Sequence, residues 1–372
     1  MDTDNDFEIF LVGLPGLETV LAQEAKARGF QSVETVAGGV TCRGGWPEVW
    51  RANLEMRGAS RVLVRIAAFR APHLAQLDKR SRKVEWGRFL DPAAPVSVEA
   101  SSKRSKVYHT GAIRQRIENA VRDTLGVTMA ADAQLCLRVR LNDDLCTISI
   151  DTSGDPLHKR GHKQAVNKAP MRETMAAQFL LACGYQAGEP LVDPMCGSGT
   201  FVIEAAEMTL GLQAGRSRRF AFEQLPSFDL NQFDALRQMP PAASETVLFW
   251  GSDRDAGAID MSRANAERAG VSGLTAFTAN AISDLPRPET ERPGLVMVNP
   301  PYGDRIGNKK SLSALYASFG AVMRERFSGW RVGLITDDPQ LARATGLRFK
   351  PPTSPIPHGG LKVKLYQTRP ID

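Results

Sequence analysis

The chain has 372 residues, of which 42% are hydrophobic and 24% are charged, and its formal net charge is +6. This length exceeds that of one ordinary domain and the apolar fraction is sufficient for large cores, so we expect two or three globular domains. No apolar run approaches the ~18–20 residues that cross a bilayer, so a transmembrane protein is not expected, and the modest positive charge suits a polyanionic partner without identifying one.

Residues 1–68 are predicted to form a small α+β domain, because strand-like and helix-like patterns alternate there. The apolar run at 7–13 is typical of a strand, and 17–28 has the spacing of an amphipathic helix that ends at a glycine. A hairpin-like segment, a helix and a strand follow at 33–42, 46–56 and 61–67.

Residues 69–153 show a second group of patterns, which predicts a second α+β domain. Helices are expected near 73–85 and 111–125. Strands are expected at 96–100, 135–141 and 144–151, the last two joined by a tight turn.

A basic stretch lies inside this second domain, at 101–116. It contains five basic residues and no acidic one: Lys103, Arg104, Lys106, Arg114 and Arg116. Tyr108 and His109 are interspersed among them. Such a loop leading into a helix is typical of a phosphate-binding track, although a solvated surface has the same composition. The basic runs at 79–83 and 216–219 are candidates to extend the track.

Residues 154–170 are polar, basic and rich in helix breakers, which predicts a linker between domains. From 171 to 372 strands alternate with helices, the pattern of a parallel, doubly wound sheet. Its strands are expected at 191–193, 246–253, 275–280, 295–299 and 331–336. A hairpin formed by 347–350 and 361–368 is expected to close this domain.

A glycine loop follows the first strand of this domain. Gly197 and Gly199 have no Cβ, so they allow a tight turn and a close approach of a ligand at the carboxyl end of the sheet. The position that a dinucleotide fingerprint fills with Gly or Ala is Val202, and the Gly-Lys pair of a phosphate-binding P-loop occurs nowhere in the chain. The loop is therefore not expected to hold a pyrophosphate.

The next two strands also end in polar residues. Asp253 follows the second strand, where an acid can accept both hydroxyls of a ribose; its alternative role is to cap the helix that follows. Asn280 ends the third strand, where its amide is a candidate contact for an adenine amino group.

The fourth strand ends in Asn299-Pro300-Pro301-Tyr302, the most specific signal in the chain. The carboxamide oxygen of Asn299 and the carbonyl of Pro300 can each accept one N–H of an exocyclic base amine, which frees the nitrogen lone pair for attack on a methyl group. The prolines stiffen the turn, and Tyr302 offers a flat face for an extruded base. The alternative is a rigid turn with a core tyrosine.

The segments DPMCGSGT (193–200) and NPPY (299–302) resemble those of class I methyltransferases that use S-adenosylmethionine (AdoMet) and act on base amino nitrogens. Three further segments resemble THUMP-domain RNA guanine-N2 methyltransferases, which include RlmL-like 23S rRNA enzymes and Trm-type tRNA enzymes. They are SGDPLHKRGHK (153–163) with APMRE (169–173), RRFAFEQLPSFD (218–229) and NPPYGDR (299–305). The likeness covers nearly the whole chain.

The resemblance implies a ferredoxin-like domain at 1–68, a THUMP domain at 69–153 and a Rossmann-like class I methyltransferase domain at 171–372. It implies AdoMet as methyl donor and N2-methylguanosine as product. The residues that it places at the cofactor are Asp193, Pro194, Gly197, Gly199, Thr200, Asp253 and Asn280, and those at the target base are Asn299, Pro300, Pro301 and Tyr302. Asn280 departs from the acid that the family commonly has there, although an amide oxygen can also accept the adenine amino hydrogen.

Several alternatives stay open at this point. The RNA substrate is expected to be 23S rRNA, with tRNA as the alternative. An adenine-N6 or cytosine-N4 methyltransferase uses the same turn, and a non-catalytic RNA-binding protein with a decayed site is a third reading. The acidic N-terminus and the absence of CxxC spacing among five cysteines predict a cytoplasmic protein with buried free thiols and no metal site.

Overall fold

The computed structural model describes residues 6–164, 171–237, 246, 248–302 and 309–372, and these form two compact units. Among the described residues, the first unit comprises 6–13, 22–157 and 218–237, and the second comprises the rest. Each unit contains one seven-stranded sheet. The division into domains 1–68, 69–153 and 171–372 stays a prediction.

The sheet of the first unit has the strand order β2-β3-β1-β4-β7-β6-β5. Only β5 and β6 run parallel; the other neighbours are antiparallel. The strand β4 pairs with β1 on one side and β7 on the other, so it joins the strands of both predicted N-terminal domains in one sheet. The strands are β1 (Phe7–Val12), β2 (Gln31–Val36), β3 (Gly39–Gly44), β4 (Arg61–Arg70), β5 (Val96–Lys103), β6 (Leu135–Asn142) and β7 (Leu145–Asp151).

The helices of the N-terminal half are α1 (Glu18–Ala27), α2 (Trp46–Glu55), α3 (Leu74–Ser81) and α4 (Thr110–Leu125). The helix α4 shows why the predicted pattern works: Ile113, Ile117, Ala120 and Val121 recur at helical spacing, and all four are fully buried. The helix α3 is shorter than the prediction of 73–85, and a 3-10 turn at Trp86–Arg88 follows it.

Residues 218–237 cluster with the first unit, although they follow the glycine loop in sequence. They include the helix α7 (Leu230–Arg237). The Trp50 ring lies 6.3 Å from that of Phe222 and 5.9 Å from that of Phe228. An aromatic cluster therefore holds this insertion.

In the basic run at 216–219, Arg216 and Arg218 are held by other parts of the protein, whereas Arg219 is 88% exposed and lies 2.9 Å from Glu223. The extension of a phosphate track by this run stays a prediction. The Arg218 side chain is buried and donates to the backbone carbonyls of Ser153, Asp155 and Pro156. Arg216 is bonded to the buried Glu207 carboxylate at 2.6 Å. A residue with these partners is not available to an anionic ligand.

The sheet of the second unit has the order β10-β9-β8-β11-β12-β14-β13. The first five strands in that order are parallel, and β14 pairs antiparallel with both of its neighbours, so the predicted parallel sheet is confirmed. The strands are β8 (Leu191–Asp193), β9 (Phe249–Asp253), β10 (Thr275–Ala279), β11 (Leu295–Val298), β12 (Arg331–Thr336), β13 (Ile356–His358) and β14 (Leu361–Gln367). The helices are α5 (Glu173–Ala182), α6 (Thr200–Thr209), α8 (Ala256–Ala269), α9 (Lys309–Arg326) and α10 (Pro339–Ala344).

The closing hairpin differs from the prediction in its first strand. β13 at 356–358 pairs with β14, whereas the expected strand at 347–350 contributes only an isolated bridge between Phe349 and Thr368. Pro351 and Pro352 follow that segment and lack the N–H groups that a strand needs to continue its ladder.

All five cysteines are buried, as predicted for free thiols. Within the described ranges, no helix combines the length and apolar character needed to cross a membrane.

Candidate active site

The strand register of the second unit brings three predicted site residues to one edge of its sheet. Leu191 and Val192 of β8 pair with Leu295 and Val296 of β11, and Asp193 pairs with Gly251 of β9. Continuing these registers places Asp253 and Asn299 each two residues beyond the level of Asp193, on the strands that flank β8. The carboxyl ends of the strands therefore form the candidate site.

The two glycines of the loop have different roles. Gly199 has a φ of +82° and precedes α6, and a Cβ there would lie 3.1 Å from the Ser262 side chain and 3.2 Å from Phe277. Gly197 has a φ of +53°, and a Cβ there would meet no atom within 4 Å. Gly199 therefore serves packing, whereas Gly197 leaves space beside the loop that a ligand can use.

The Asp253 carboxylate links β9 to the loop. One oxygen accepts the Gly197 N–H at 3.0 Å and the other accepts the Asp255 N–H at 3.0 Å. The sequence left helix capping as the alternative role of Asp253. The residue that caps α8 is instead Asp255, whose side chain accepts the Gly257 N–H. Each Asp253 oxygen has a second lone pair, so the carboxylate retains the capacity to accept ribose hydroxyls.

Two polar residues of α8 hold the loop from behind, and sequence reasoning missed both. The Ser262 hydroxyl donates to the Gly197 carbonyl at 2.8 Å, and the Asn265 amide donates to the Ser198 carbonyl at 3.1 Å. Both side chains are fully buried. They are positioning residues, since they bind loop carbonyls and leave the open side of Gly197 uncovered.

Asp193 and Thr200 bound the loop at its two ends. Asp193 is 2% exposed, its carboxylate accepts the Met195 N–H at 3.1 Å, and burial raises its pKa well above the usual range, with the charge of Asp253 adding to the shift. The Thr200 hydroxyl accepts from the Lys163 ammonium at 3.3 Å. Both side chains therefore fix the loop.

The remaining cofactor candidates are Pro194 and Asn280. Pro194 is buried directly after β8. Asn280 lies past the end of β10, its backbone N–H bonds to the Asp253 carbonyl at 3.0 Å, and its side-chain amide donates to Thr278 at 3.2 Å. These bonds leave the Asn280 carbonyl oxygen as the atom that can accept from an adenine amino group.

The turn after β11 contains a buried hydrogen-bond acceptor, the side-chain oxygen of Asn299. The Asn299 carboxamide oxygen is buried, and no residue in the described part of the chain donates a hydrogen bond to it. A buried acceptor in this state lowers stability by about 1–3 kcal/mol, and an N–H group that bonded to it would recover this free energy. Residues 303–305 of the NPPYGDR motif lie outside the described residues.

The rest of the turn is braced by aromatic packing. The Tyr316 hydroxyl of α9 donates to the Pro301 carbonyl at 3.4 Å, and Tyr316 is 1% exposed. Tyr302 is half-buried against the packed side chains on both faces of the sheet, and burial raises its pKa. Its role as a stacking face for a base stays a prediction.

A buried ionic cluster lies behind the loop, within the segment predicted as a linker. Arg160 is ion-paired with Glu204 and Glu207 of α6, and all three side chains are at most 1% exposed. The His162 carbonyl accepts from Arg268, which also bonds to Asn265. Residues 158–164 are therefore tied to α6 and α8, the helices that position the glycine loop.

This burial gives a pH prediction for His162. Burial lowers the pKa of His162 to about 4, against the opposing effect of the Glu207 carboxylate 3.7 Å away. Between pH 6.5 and about 4 the unfolded chain therefore binds the extra proton, so the unfolding free energy should fall by about 3 kcal/mol as the pH decreases through this window. Urea unfolding at several pH values measures this, and His162→Gln should remove that part of the slope. Parallel wild-type and variant curves would contradict the assignment.

The predicted RNA-binding residues lie on the surface of the first unit. Lys103, Arg104, Lys106, Arg114 and Arg116 are all exposed. Arg104 lies 3.3 Å from Asp143, and Arg114 lies 3.6 Å from Glu118. These exposed pairs are weak, so the cations remain available to a polyanion.

Comparisons with known proteins bear on this site. Residues 160–354, just over half of the chain, match the family described as RMKL-like, methyltransferase domain, and residues 8–63 match the RlmL ferredoxin-like domain. Slr0064 of Synechocystis sp., a candidate RNA methyltransferase, is 30% identical over 363 residues, which are 95% of this chain and 94% of the relative. The ribosomal RNA large subunit methyltransferase K/L of Syntrophotalea carbinolica is 34% identical over 364 residues, which cover 93% of this chain. The chain spans about half the length of that relative, 51%.

Solved structures agree in fold. A candidate methylase from Clostridium difficile 630 superposes with a TM-score of 0.90 at 29% identity, covering 99% of both chains. The candidate methyltransferase SMU.472, solved in complex with SAH, gives 0.89 at 25% identity, again covering 99% of both chains. The predicted fold class, a Rossmann-like methyltransferase domain after a ferredoxin-like domain, is confirmed.

Proposed function

The chain belongs to the RMKL-like methyltransferase family, as its sequence predicted, and from this membership we propose that it transfers a methyl group from AdoMet to N2 of a guanine in 23S rRNA. Relatives named as rRNA large subunit methyltransferases support an RNA substrate, and the solved complex of SMU.472 with SAH supports AdoMet as the donor. An rRNA substrate also favours the cytoplasm as the site of action.

The observation that carries this proposal is the buried Asn299 carboxamide oxygen, to which none of the described residues donates a hydrogen bond. An exocyclic amine has two N–H groups, and the proposed acceptors are the Asn299 carboxamide oxygen and the backbone carbonyl of Pro300, the next residue in the same turn. The Tyr316 hydroxyl donates to the neighbouring Pro301 carbonyl at 3.4 Å, which helps to position this part of the turn. When bound, AdoMet supplies an electrophilic methyl group on its sulfonium.

The same edge of the sheet fits AdoMet. Gly197 borders open space, Asp253 can accept two ribose hydroxyls, and Asn280 offers a carbonyl oxygen to adenine. With the base amine held by Asn299, the new N–C bond forms as the S–C bond breaks, and the nitrogen then releases a proton to water. These residues orient the amine and bind the donor, and the reaction requires no strong base among them.

The direct test incubates the protein with labelled AdoMet and three separate substrates: 23S rRNA from a strain lacking the gene, tRNA from that strain, and DNA. Digestion and mass spectrometry of the nucleosides should show N2-methylguanosine in the rRNA alone. Product in tRNA alone would transfer the proposal to the tRNA alternative, and N6-methyladenosine or N4-methylcytidine would overturn the guanine assignment. AdoMet binding with no product in any substrate would favour a decayed site.

A second prediction concerns the basic stretch of the first unit. The double variant Lys103→Glu, Arg104→Glu should weaken RNA binding. It should also reduce the magnitude of the negative slope of log K against log salt by about 1.5, since each lost phosphate contact removes about 0.7–0.9. The matched control Lys26→Glu, Lys362→Glu changes the net charge equally at two exposed lysines elsewhere. Equal slopes for the two double variants would exclude the basic stretch from the interface.

A further inference from the structure

An aromatic ring stands out on the surface of the first unit. Tyr108 is 68% exposed, and its ring centroid lies 4.3 Å from that of His109, at an interplanar angle of 37°. Within the described residues, the other exposed large hydrophobic side chains are Leu145 and Leu230. A single exposed aromatic residue is ordinary on a protein surface, so the surroundings of this ring decide whether it has a function in binding.

The backbone that carries this ring is fixed although the ring is exposed. Val107 is 7% exposed, and its carbonyl accepts the Ser102 hydroxyl at 2.7 Å. The Lys106 N–H donates to the Asp144 carboxylate at 2.7 Å, and Asp144 in turn donates its own N–H to Ser105 at 3.0 Å. His109 directly precedes α4 and accepts the Ile113 N–H at 3.1 Å. Binding at Tyr108 therefore orders little additional backbone.

The charges around the ring indicate the kind of partner. Lys103 is the last residue of β5, and Arg104 and Lys106 lie on the loop that follows it; all three are exposed and within five residues of Tyr108 in sequence. Arg104 has a φ of +49°, an unfavourable conformation for a residue with a Cβ, and the loop maintains it. Protein interfaces are depleted in lysine, whereas grooves for single-stranded nucleic acid combine cations with stacking aromatic rings.

We propose that Tyr108 and His109 form a stacking platform for an unpaired base of the RNA, while Lys103, Arg104 and Lys106 contact the adjoining phosphates. The proposal rests on the proposed function, because it takes RNA to be the substrate. It adds that the first unit binds a single-stranded element of that RNA, such as a loop, bulge or end. A duplex keeps its bases stacked inside and has none to offer the ring.

The test compares Tyr108→Ala with Tyr108→Phe, which keeps a stacking face, in the full-length protein. The probes are a single-stranded RNA of about twelve nucleotides with one 2-aminopurine, and the duplex that it forms with its complement. Tyr108→Ala should weaken binding to the single strand about tenfold and abolish the 2-aminopurine quenching, whereas Tyr108→Phe should stay within about twofold of wild type. The salt slope should be unchanged in both variants, because tyrosine carries no charge.

The matched control is Leu230→Ala, which removes an exposed apolar side chain elsewhere in the first unit and should leave binding unchanged. Tyr108→Ala binding the single strand as wild type does would overturn the platform and leave RNA methylation standing. Equal weakening for single strand and duplex would also overturn it, since stacking requires an unpaired base. Absence of wild-type binding to either probe at low salt, together with absence of methyl transfer to RNA, would overturn the proposed function itself.

Discussion

Replacing Asn299 by alanine should lower kcat for methyl transfer to RNA by about 10³-fold and change the affinity for AdoMet by less than about twofold. The acceptor oxygen is lost from the point where charge develops on the amine, and removing one such preorganised group reduces kcat by about 10²–10³-fold. The second acceptor, the Pro300 carbonyl, remains. A single hydrogen bond to it no longer fixes the orientation of the amine, which two hydrogen bonds would fix. Single-turnover methylation at saturating RNA and calorimetric titration of AdoMet measure the two effects separately.

Two further variants separate the acceptor role from packing. Asn299→Leu has nearly the same volume but no acceptor, so it should be as slow as the alanine variant. Asn299→Asp keeps an oxygen in the same place and should stay within about tenfold of wild type. Turnover retained in both Asn299→Ala and Asn299→Leu would show that the buried oxygen does not orient the amine. RNA binding measured on the same proteins should stay unchanged, since Asn299 contributes one neutral contact.

The predictions that succeeded rest on local patterns. The strands at 191–193 and 331–336 have the predicted bounds, because a short apolar run between breakers has few ways to fold. The glycine loop and the Asn299 turn follow strands whose ends must meet at one edge of a parallel sheet. Sequence order therefore sufficed to place Asp193, Asp253 and Asn299 at one edge.

The residues that were missed act through contacts between distant parts of the chain. Ser262 and Asn265 lie on a helix whose polar residues look like any solvated face, yet both are fully buried and bind loop carbonyls. Their partners precede them by more than sixty residues, and no local spacing connects the two. The same holds for residues 218–237, whose assignment to the first unit depends on aromatic packing around Trp50.

The segment predicted as a linker shows where composition misleads. Lys159, Arg160, His162 and Lys163 have the polarity of a solvated loop, but Arg160, His162 and Lys163 are at most 7% exposed on their side chains. Arg160 is buried against Glu204 and Glu207 of α6, and the Lys163 ammonium lies 3.3 Å from Glu173, so the burial of these two cations depends on acids outside the segment. The motif at 153–163 contributed to the family resemblance, but it did not indicate that these residues are buried against α6.

Replacing Arg160 by methionine should lower the unfolding free energy by about 3–5 kcal/mol, the largest stability effect that we expect in the second unit. The change removes the guanidinium that Glu204 and Glu207 share, and removing one partner of a buried ion pair is far more destabilising than losing a surface pair. Methionine fills a similar volume, so the effect reports charge and not a cavity. Urea unfolding of the wild type and the variant in parallel, followed by circular dichroism, measures the change.

The double variant Arg160→Met, Glu204→Gln distinguishes charge from geometry. Glu207 keeps Arg216 as a cationic partner at 2.6 Å, so neutralising Glu204 removes the excess negative charge and should restore about half of the lost stability. As Arg160 holds 158–164 against the helix that begins at the glycine loop, the single variant should also weaken AdoMet binding, and the double variant should recover part of it. A single variant within about 1 kcal/mol of wild type would mean that water reaches these carboxylates and that the cluster is not a closed ionic core.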